Sequence, residues 1–309
     1  MQVIWGLENI GTPYDSVITI GTFDGIHSGH IQIIDRVCEV SGQKHMASSM
    51  VTFDPHPKRV VNPALKDQIK LLSTIEEKIE QLKKTDLDHL IIIRFDKAFS
   101  SLSYETFLKS VLIERIGARY IIVGYDHAFG KNREGNYSTL KELQSKYGFG
   151  VEQVQPVERN DHIVSSSLIR QMIKDGKVEE AVDYLGRQYT LYGKVKTGSA
   201  MGKALKFPTA NIEPLHPNKI IPADGVYAVD VRWNDQVHKG MMNIGFKPTL
   251  HERNKKRSLE VHLFDFNEDI YNQTLKIIFK KRLRSEKKFS SKEELVEQLK
   301  IDMKNSLQV

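Results

Sequence analysis

Cysteine is almost absent. Cys38 is the only one in 309 residues, which excludes an intrachain disulfide framework and every multi-cysteine metal cluster. No apolar run approaches the roughly 18 uninterrupted residues of a membrane helix, so no membrane partner is expected. Internal repeats and low-complexity tracts are missing too, which argues against solenoids and disordered tails. The opening residues, MQVIWGLENIG, carry neither a basic leader nor a long apolar stretch, so the expectation is a cytoplasmic protein. Nor is charge of one sign concentrated. The 45 basic and 39 acidic residues leave +6, yet Lys83-Lys84, Lys255-Lys256-Arg257 and Lys280-Lys281-Arg282 are short and scattered. Such runs read as solvated surface, so no nucleic-acid partner is expected. A positive surplus still suits a small anion such as a nucleotide.

What is present is ordinary globular composition, 40% hydrophobic and 27% charged, in a chain long enough for two domains. Apolar runs at 17–21, 46–53, 89–95, 119–124 and 151–157 predict strands. Helical spacing at 31–40, 74–84, 104–115 and 137–147 predicts helices between them, followed by two more at 167–174 and 178–185. That alternation implies crossovers and a parallel sheet covered on both faces. After Gly186 the pattern changes to strands without helices, at 189–195, 225–233, 236–244, 259–264 and 274–283. Asn234-Asp235 reads as a tight hairpin, and Ser290-Ser291-Lys292-Glu293 opens a last helix to about residue 304. The expected architecture is an α/β Rossmann-like domain, 1–186, then a small antiparallel β-barrel with a C-terminal helix, 187–309.

The densest chemistry is Gly21-Thr22-Phe23-Asp24-Gly25-Ile26-His27-Ser28-Gly29-His30, between the strand at 17–21 and the helix after it. Its glycines let the backbone approach a phosphate, and the free N–H groups of a helix start favour an anion. His27 and His30, one turn apart, can donate hydrogen bonds to a transferring phosphoryl group. A metal is the competing use of two close histidines, but no third ligand is near. Ser165-Ser166-Ser167-Leu168-Ile169-Arg170 opens a late helix, where hydroxyls can hold phosphate oxygens and Arg170 adds a fixed charge. Serines also cap helices without any ligand. Asp126, in the loop Gly124 to Gly130, suits a ribose or adenine contact, or simply a turn. Phe53, Pro55 and Pro57, after the strand at 46–53, could wall a flat ring or pack a core.

The HxGH segment resembles the nucleotidyltransferase superfamily. Together, in that order and spacing, the four segments resemble the prokaryotic bifunctional riboflavin kinase/FAD synthetase family. The resemblance implies a nucleotidyltransferase domain that makes FAD from FMN and ATP. It assigns catalysis to His27, His30 and Arg170. It assigns ATP to Gly21, Phe23, Asp24, Gly25, Gly29, Asp126, Ser165, Ser166 and Ser167, and flavin to Phe53, Pro55 and Phe129. His127 departs from the aromatic more common there. A tRNA synthetase of the HxGH class would need a lysine-rich second signature and an anticodon-reading domain, and neither is found.

The second half carries Gly202-Lys203-Ala204-Leu205-Lys206-Phe207-Pro208-Thr209-Ala210-Asn211-Ile212. Thr209 and Asn211 alternate by two, so both side chains can face one pocket from an extended segment. Oxygen ligands of this kind suit Mg²⁺, which keeps waters and phosphates as its other partners. PTAN, with the segments at 243–249 and 259–266, resembles riboflavin kinase. By that resemblance Gly202 and Lys203 join the ATP site, Thr209 and Asn211 hold the metal, and Glu260 takes the proton of the riboflavin 5′-hydroxyl. Thr197 stands where the family usually has histidine, and Lys206 where it has glycine. ATP, FMN and riboflavin are therefore the expected small-molecule substrates. Two alternatives stay open: an adenylyltransferase whose kinase-like half is inactive, and a flavin or nucleotide sensor or nucleic-acid-binding protein without chemistry.

Overall fold

The computed structural model describes residues 1–65, 67–197, 207–246 and 257–309. Its contacts divide the chain into two units, Met1–Ser166 and Ser167–Val309. In the first, β1 (Gln2–Trp5), β2 (Ser16–Ile20), β3 (Ala47–Asp54), β4 (His89–Arg94), β5 (Ala118–Gly124) and β6 (Gly150–Val154) form one sheet. The order is β1-β4-β3-β2-β5-β6, and every pairing is parallel. The helices are α1 (Ser28–Lys44), α2 (Pro57–Val61), α3 (Ile75–Leu82), α4 (Lys97–Ser100), α5 (Tyr104–Thr106) and α6 (Tyr137–Tyr147), and α5 runs on into a π-wound stretch, Phe107–Ile116.

Alternation along the strands builds two cores. Val17, Met50, Leu90 and Ile122 pack with Ile34, Val37 and Val40 of α1 and Leu82 of α3. On the other face Ile18, Val51, Ile91 and Ile121 pack with Phe107, Leu112, Ile116 and Leu140. Both faces are covered, as the apolar runs predict. Several short elements were not anticipated, among them α2, α4 and two pieces of sheet. β1 exists because Gln2 to Trp5 pair with His89 to Ile92 at the sheet edge. A short hairpin, β7 (Glu158–Arg159) with β8 (His162–Ile163), turns on Asn160 and Asp161, both at positive φ.

The strand order reverses between β2 and β5. In open α/β sheets the loops beyond the carboxyl ends at such a point form the ligand crevice. The segments after β2 and β5, which contain Gly21 to His27 and Gly124 to Gly130, flank it.

The second unit contains α7 (Ser166–Lys174) from Ser167 onward, α8 (Ala181–Leu185), a barrel and α9 (Lys292–Leu307). α7 and the turn before α8 are tied to barrel residues, Ala223 N donating to Ile173 O and Arg282 N to Glu179 Oε2. The contact boundary therefore lies upstream of the change in composition at Gly186. The barrel comprises β9 (Thr190–Lys196), β10 (Ala210–Pro214), β11 (Gly225–Trp233), β12 (Gln236–Phe246), β13 (Arg257–Leu263) and β14 (Thr274–Arg284). They close in the order β10-β13-β12-β11-β14-β9, all antiparallel. Asn234 and Asp235 sit at φ 44° and 62°, as a two-residue hairpin turn requires.

α9 begins at the Ser291 cap and lays Leu299 and Met303 on Val226, Met241 and Phe264. Its anchor is Asp302, nearly buried, which takes Arg284 Nε at 3.0 Å and Nη2 at 2.7 Å. Asp302→Ala leaves the guanidinium uncompensated, so it should lower stability by about 3 kcal/mol. The check is the urea midpoint. The double variant Arg284→Met/Asp302→Leu should recover most of the loss, and a midpoint unmoved by Asp302→Ala would refute the anchoring role.

Candidate active sites

β2 is wholly buried, and it ends where Gly21 begins the turn into α1. Phe23, Gly25 and Ile26 all adopt positive φ, at 44°, 94° and 39°. That run folds the chain back so that His27 becomes the N-cap of α1. The His27 and His30 rings stack with centroids 3.5 Å apart and planes 18° apart. His27 N donates to His30 Nδ1 at 3.4 Å, and Phe23 meets His30 edge-on at 5.0 Å. His27 is buried and His30 half-buried. The two imidazoles are thus one rigid pair at the head of a 17-residue helix, whose free N–H groups favour negative charge.

Beneath the loop lies a polar brace. Asp24 is only 2% exposed, and its carboxylate accepts Leu72 N at 3.0 Å and Ser73 N at 2.9 Å. Gly25 N donates to Ser73 Oγ at 2.8 Å. Lys78 of α3, 6% exposed, donates to Thr22 O at 2.6 Å and to Thr52 Oγ1 at 3.2 Å. Burial pushes the Lys78 ammonium down to about 8, against the opposing pull of Asp24 and Asp54. Sequence reasoning gave Ser73, Thr52 and Lys78 no role. The signal existed for one of them, because Lys78 falls on the apolar stripe of Ile75, Ile79 and Leu82.

The remaining assigned residues of this unit are spread along the strand ends. Ser166 Oγ donates to Asp24 O at 2.8 Å, which brings the serine segment to the glycine loop. Gly29 lies against Val164 O, where an added Cβ would stand 3.9 Å away, and Ser165 is half-buried. Ser167 is exposed and Arg170 half-buried on α7, both in the second unit. Asp126 is exposed after β5, within a turn that His127 N closes on Gly124 O. Phe53 meets Phe95, Phe99 and Phe107 at centroid distances of 5.4–6.5 Å, with Pro55 exposed beside it. Phe129 is buried against Phe107 as part of the core.

His127 stacks on Phe129 at 5.6 Å. Its burial, with Arg133 adding like charge, pushes the imidazole down to about 4. The folded chain therefore refuses a proton that the unfolded chain accepts near pH 6.5. The stability this contributes is complete above pH 6.5 and is lost as pH falls toward 4, by up to about 3 kcal/mol. His127→Phe should flatten that acid limb. Urea midpoints at pH 7 and pH 4.5 measure it, and equal pH slopes in both proteins would count against the assignment.

In the second unit the site is a row across neighbouring strands. Asn211 of β10 and Asn243 of β12 both pair with Glu260 of β13. Thr209 Oγ1 donates to Glu260 Oε2 at 3.3 Å. The alternate residues Ile212, Val261 and Met242 are buried in the barrel, which turns this row outward. His262, on the same face as Glu260, holds Pro208 O at 2.7 Å through Nδ1 and meets Phe207 edge-on at 5.3 Å. That clamp fixes the PTAN segment, and sequence reasoning assigned it nothing. Thr197 is exposed just past β9. Gly202, Lys203 and Lys206 lie outside the described residues. The donors around Glu260 are oxygens and amides, and no cluster of three His, Cys, Asp or Glu able to hold a metal occurs among the described residues. Oxygen and amide donors are the chemistry that Mg²⁺ takes, with water and phosphate completing its ligand set.

A model described as FAD synthetase matches residues 10–168, and one described as riboflavin kinase matches residues 185–309. The bifunctional riboflavin kinase/FMN adenylyltransferase of Buchnera aphidicola (Schizaphis graminum) is 36% identical over 307 residues, 98% of this chain and 97% of that protein. The Bacillus subtilis protein of the same name is 35% identical, covering 94% of this chain and 92% of its own. A Streptococcus pneumoniae crystal structure, described as a macrolide-efflux protein, superposes with a TM-score of 0.91 at 33% identity over 100% of both chains. Among the described residues here, no helix is long and apolar enough to cross a membrane. With the histidine pair, Ser165 to Ser167 and the PTAN–glutamate row inside the matched regions, the chain belongs to the bifunctional riboflavin kinase/FMN adenylyltransferase family.

Proposed function

We infer that the first unit transfers AMP from ATP to FMN, giving FAD and pyrophosphate, and that the second phosphorylates riboflavin to FMN with release of ADP. The observation that carries the first reaction is the stacked His27–His30 pair at the head of α1, beside the crevice between β2 and β5. An FMN phosphate oxygen attacks the α-phosphorus of ATP while the bond to the β-phosphate oxygen breaks. Charge grows on the α-phosphoryl oxygens, and the two imidazoles stabilise it by hydrogen bonds from fixed positions. Gly21, Gly25, Gly29 and the head of α1 hold phosphates with backbone N–H groups, joined by Ser165 to Ser167. Arg170 is assigned the departing pyrophosphate, Asp126 the nucleoside, and Phe53, Pro55 and Phe129 the flavin side.

In the second reaction Glu260 removes the proton of the riboflavin 5′-hydroxyl as its oxygen attacks the γ-phosphorus. Thr209 and Asn211 would hold Mg²⁺ with the ATP phosphates, where the ion neutralises phosphate charge. The pairing of Thr209 with Glu260 supports this assignment. No nucleic acid enters either reaction, and a cytoplasmic setting suits a chain with one free thiol. The inactive-kinase alternative gains no support, because the relatives matched over nearly the whole chain are named for both activities. One assay tests both halves: incubate with riboflavin, ATP and Mg²⁺ and resolve FMN and FAD by chromatography. Both products are expected. FAD from added FMN but nothing from riboflavin would remove the kinase assignment, and no FAD from FMN would remove the adenylyltransferase.

A further inference from the structure

A nearly buried lysine is an expensive thing to place in a core, because burial disfavours its charged form. Lys78 occupies such a place, on the α3 stripe that otherwise carries Ile75, Ile79 and Leu82. Its ammonium bridges the loop after β2, which flanks the crevice, and the neighbouring strand β3. One proton goes to the Thr22 carbonyl after β2 and another to the Thr52 hydroxyl on β3. The charged groups facing it are Asp24 from the loop and Asp54 from the end of β3. Asp24 is held by the Leu72 and Ser73 amides, so the loop, the start of α3 and the lysine form one assembly.

We propose that Lys78 is a positioning residue for adenylyl transfer. Its ammonium fixes the Gly21–Gly25 loop through Thr22 and places a buried positive charge under the N–H groups that meet the ATP phosphates. This rests on the first unit being the adenylyltransferase. Lys78 sets a positive charge against the buried Asp24 carboxylate beneath that site. The charge acts on ATP in the ground state, so its loss shows in KM more than in kcat. Burial pushes the free-enzyme ammonium down to about 8. It is charged below that pH and neutral above it, so kcat/KM for ATP falls as pH rises through 8. A bound triphosphate holds the proton on, so the same limb in kcat lies at higher pH.

The test uses the full chain. Lys78→Met keeps the stem and removes charge and donors, whereas Lys78→Arg keeps the charge. FAD formation from FMN is measured against ATP concentration from pH 6.5 to 9.5, with riboflavin phosphorylation by the same molecules reporting that the chain is folded. For Lys78→Met, kcat/KM for ATP should fall about ten- to a hundredfold, mainly through KM. The basic limb should vanish, kinase activity should persist, and Lys78→Arg should recover most of the loss without a limb near 8. Unchanged kinetics would overturn the proposal, as would a loss confined to kcat with the limb unmoved, which marks a mere strut. If Lys78→Met loses both activities, Lys78→Arg decides: a limb remaining near pH 8 overturns the proposal and its disappearance sustains it. A native protein that makes no FAD from FMN refutes the underlying function before any variant is read.

Discussion

His30→Ala is expected to lower FAD formation from FMN and ATP by about a hundred- to a thousandfold, the usual cost of removing one fixed donor from a developing charge. The stacked geometry makes the loss larger than one hydrogen bond. His30 supports its partner ring at 3.5 Å and takes the His27 N–H at 3.4 Å, so its removal also frees His27 at the head of α1. The effects should therefore not add. His27→Ala/His30→Ala should be little worse than His30→Ala alone, as for residues that act as a unit. Riboflavin phosphorylation by the same variant should be unchanged, which separates a chemical defect from a folding one. Turnover to FAD within a few-fold of the native protein would sink the assignment.

Glu260→Gln should reduce FMN formation from riboflavin by about a hundred- to ten-thousandfold, the range of a lost general base. The substitution is nearly isosteric, and the amide oxygen can still accept from Thr209, now at 3.3 Å from Glu260 Oε2. What disappears is the ability to take a proton. FAD synthesis from added FMN should continue at the native rate. Thr209→Val makes the useful contrast, because it removes a nucleotide-side ligand and should raise the ATP requirement before it lowers the maximal rate. A Glu260→Gln protein that phosphorylates riboflavin normally would exclude the carboxylate as base.

The fold was legible where burial and local pattern agree. The runs at 17–21, 46–53, 89–95 and 119–124 are strands in the structure, because apolar side chains on both faces suit only a covered parallel sheet. β1 was missed since Gln2 to Trp5 become a strand only through pairing with β4. The helix predicted at 104–115 is present, but its π winding leaves no mark in the apolar spacing. At the sites, the sequence shows which residues lie together on the chain, not which long-range partners hold them. Asp24 was read for the nucleotide alone, although its carboxylate is bound by amides 48 and 49 residues away. Lys78 was passed over because a lysine on a helix is normally solvated. Its stripe position was the available clue. Phe129 was given to the flavin by motif, and its packing on Phe107 is a long-range contact that the motif does not show.

The brace under the glycine loop sets the balance between stability and readiness in this half of the enzyme. Thr52, Ser73, Asp24 and Lys78 are all buried where an apolar cluster of the same volume would hold the fold more firmly. In return the loop is already in one conformation before ATP arrives, so the ordering entropy is met during folding and not at binding. The consequence reaches beyond this site. Sequence changes that stabilise the unit by replacing that polar cluster with hydrocarbon would loosen the loop and weaken nucleotide capture, which makes this patch a poor target for thermostabilisation.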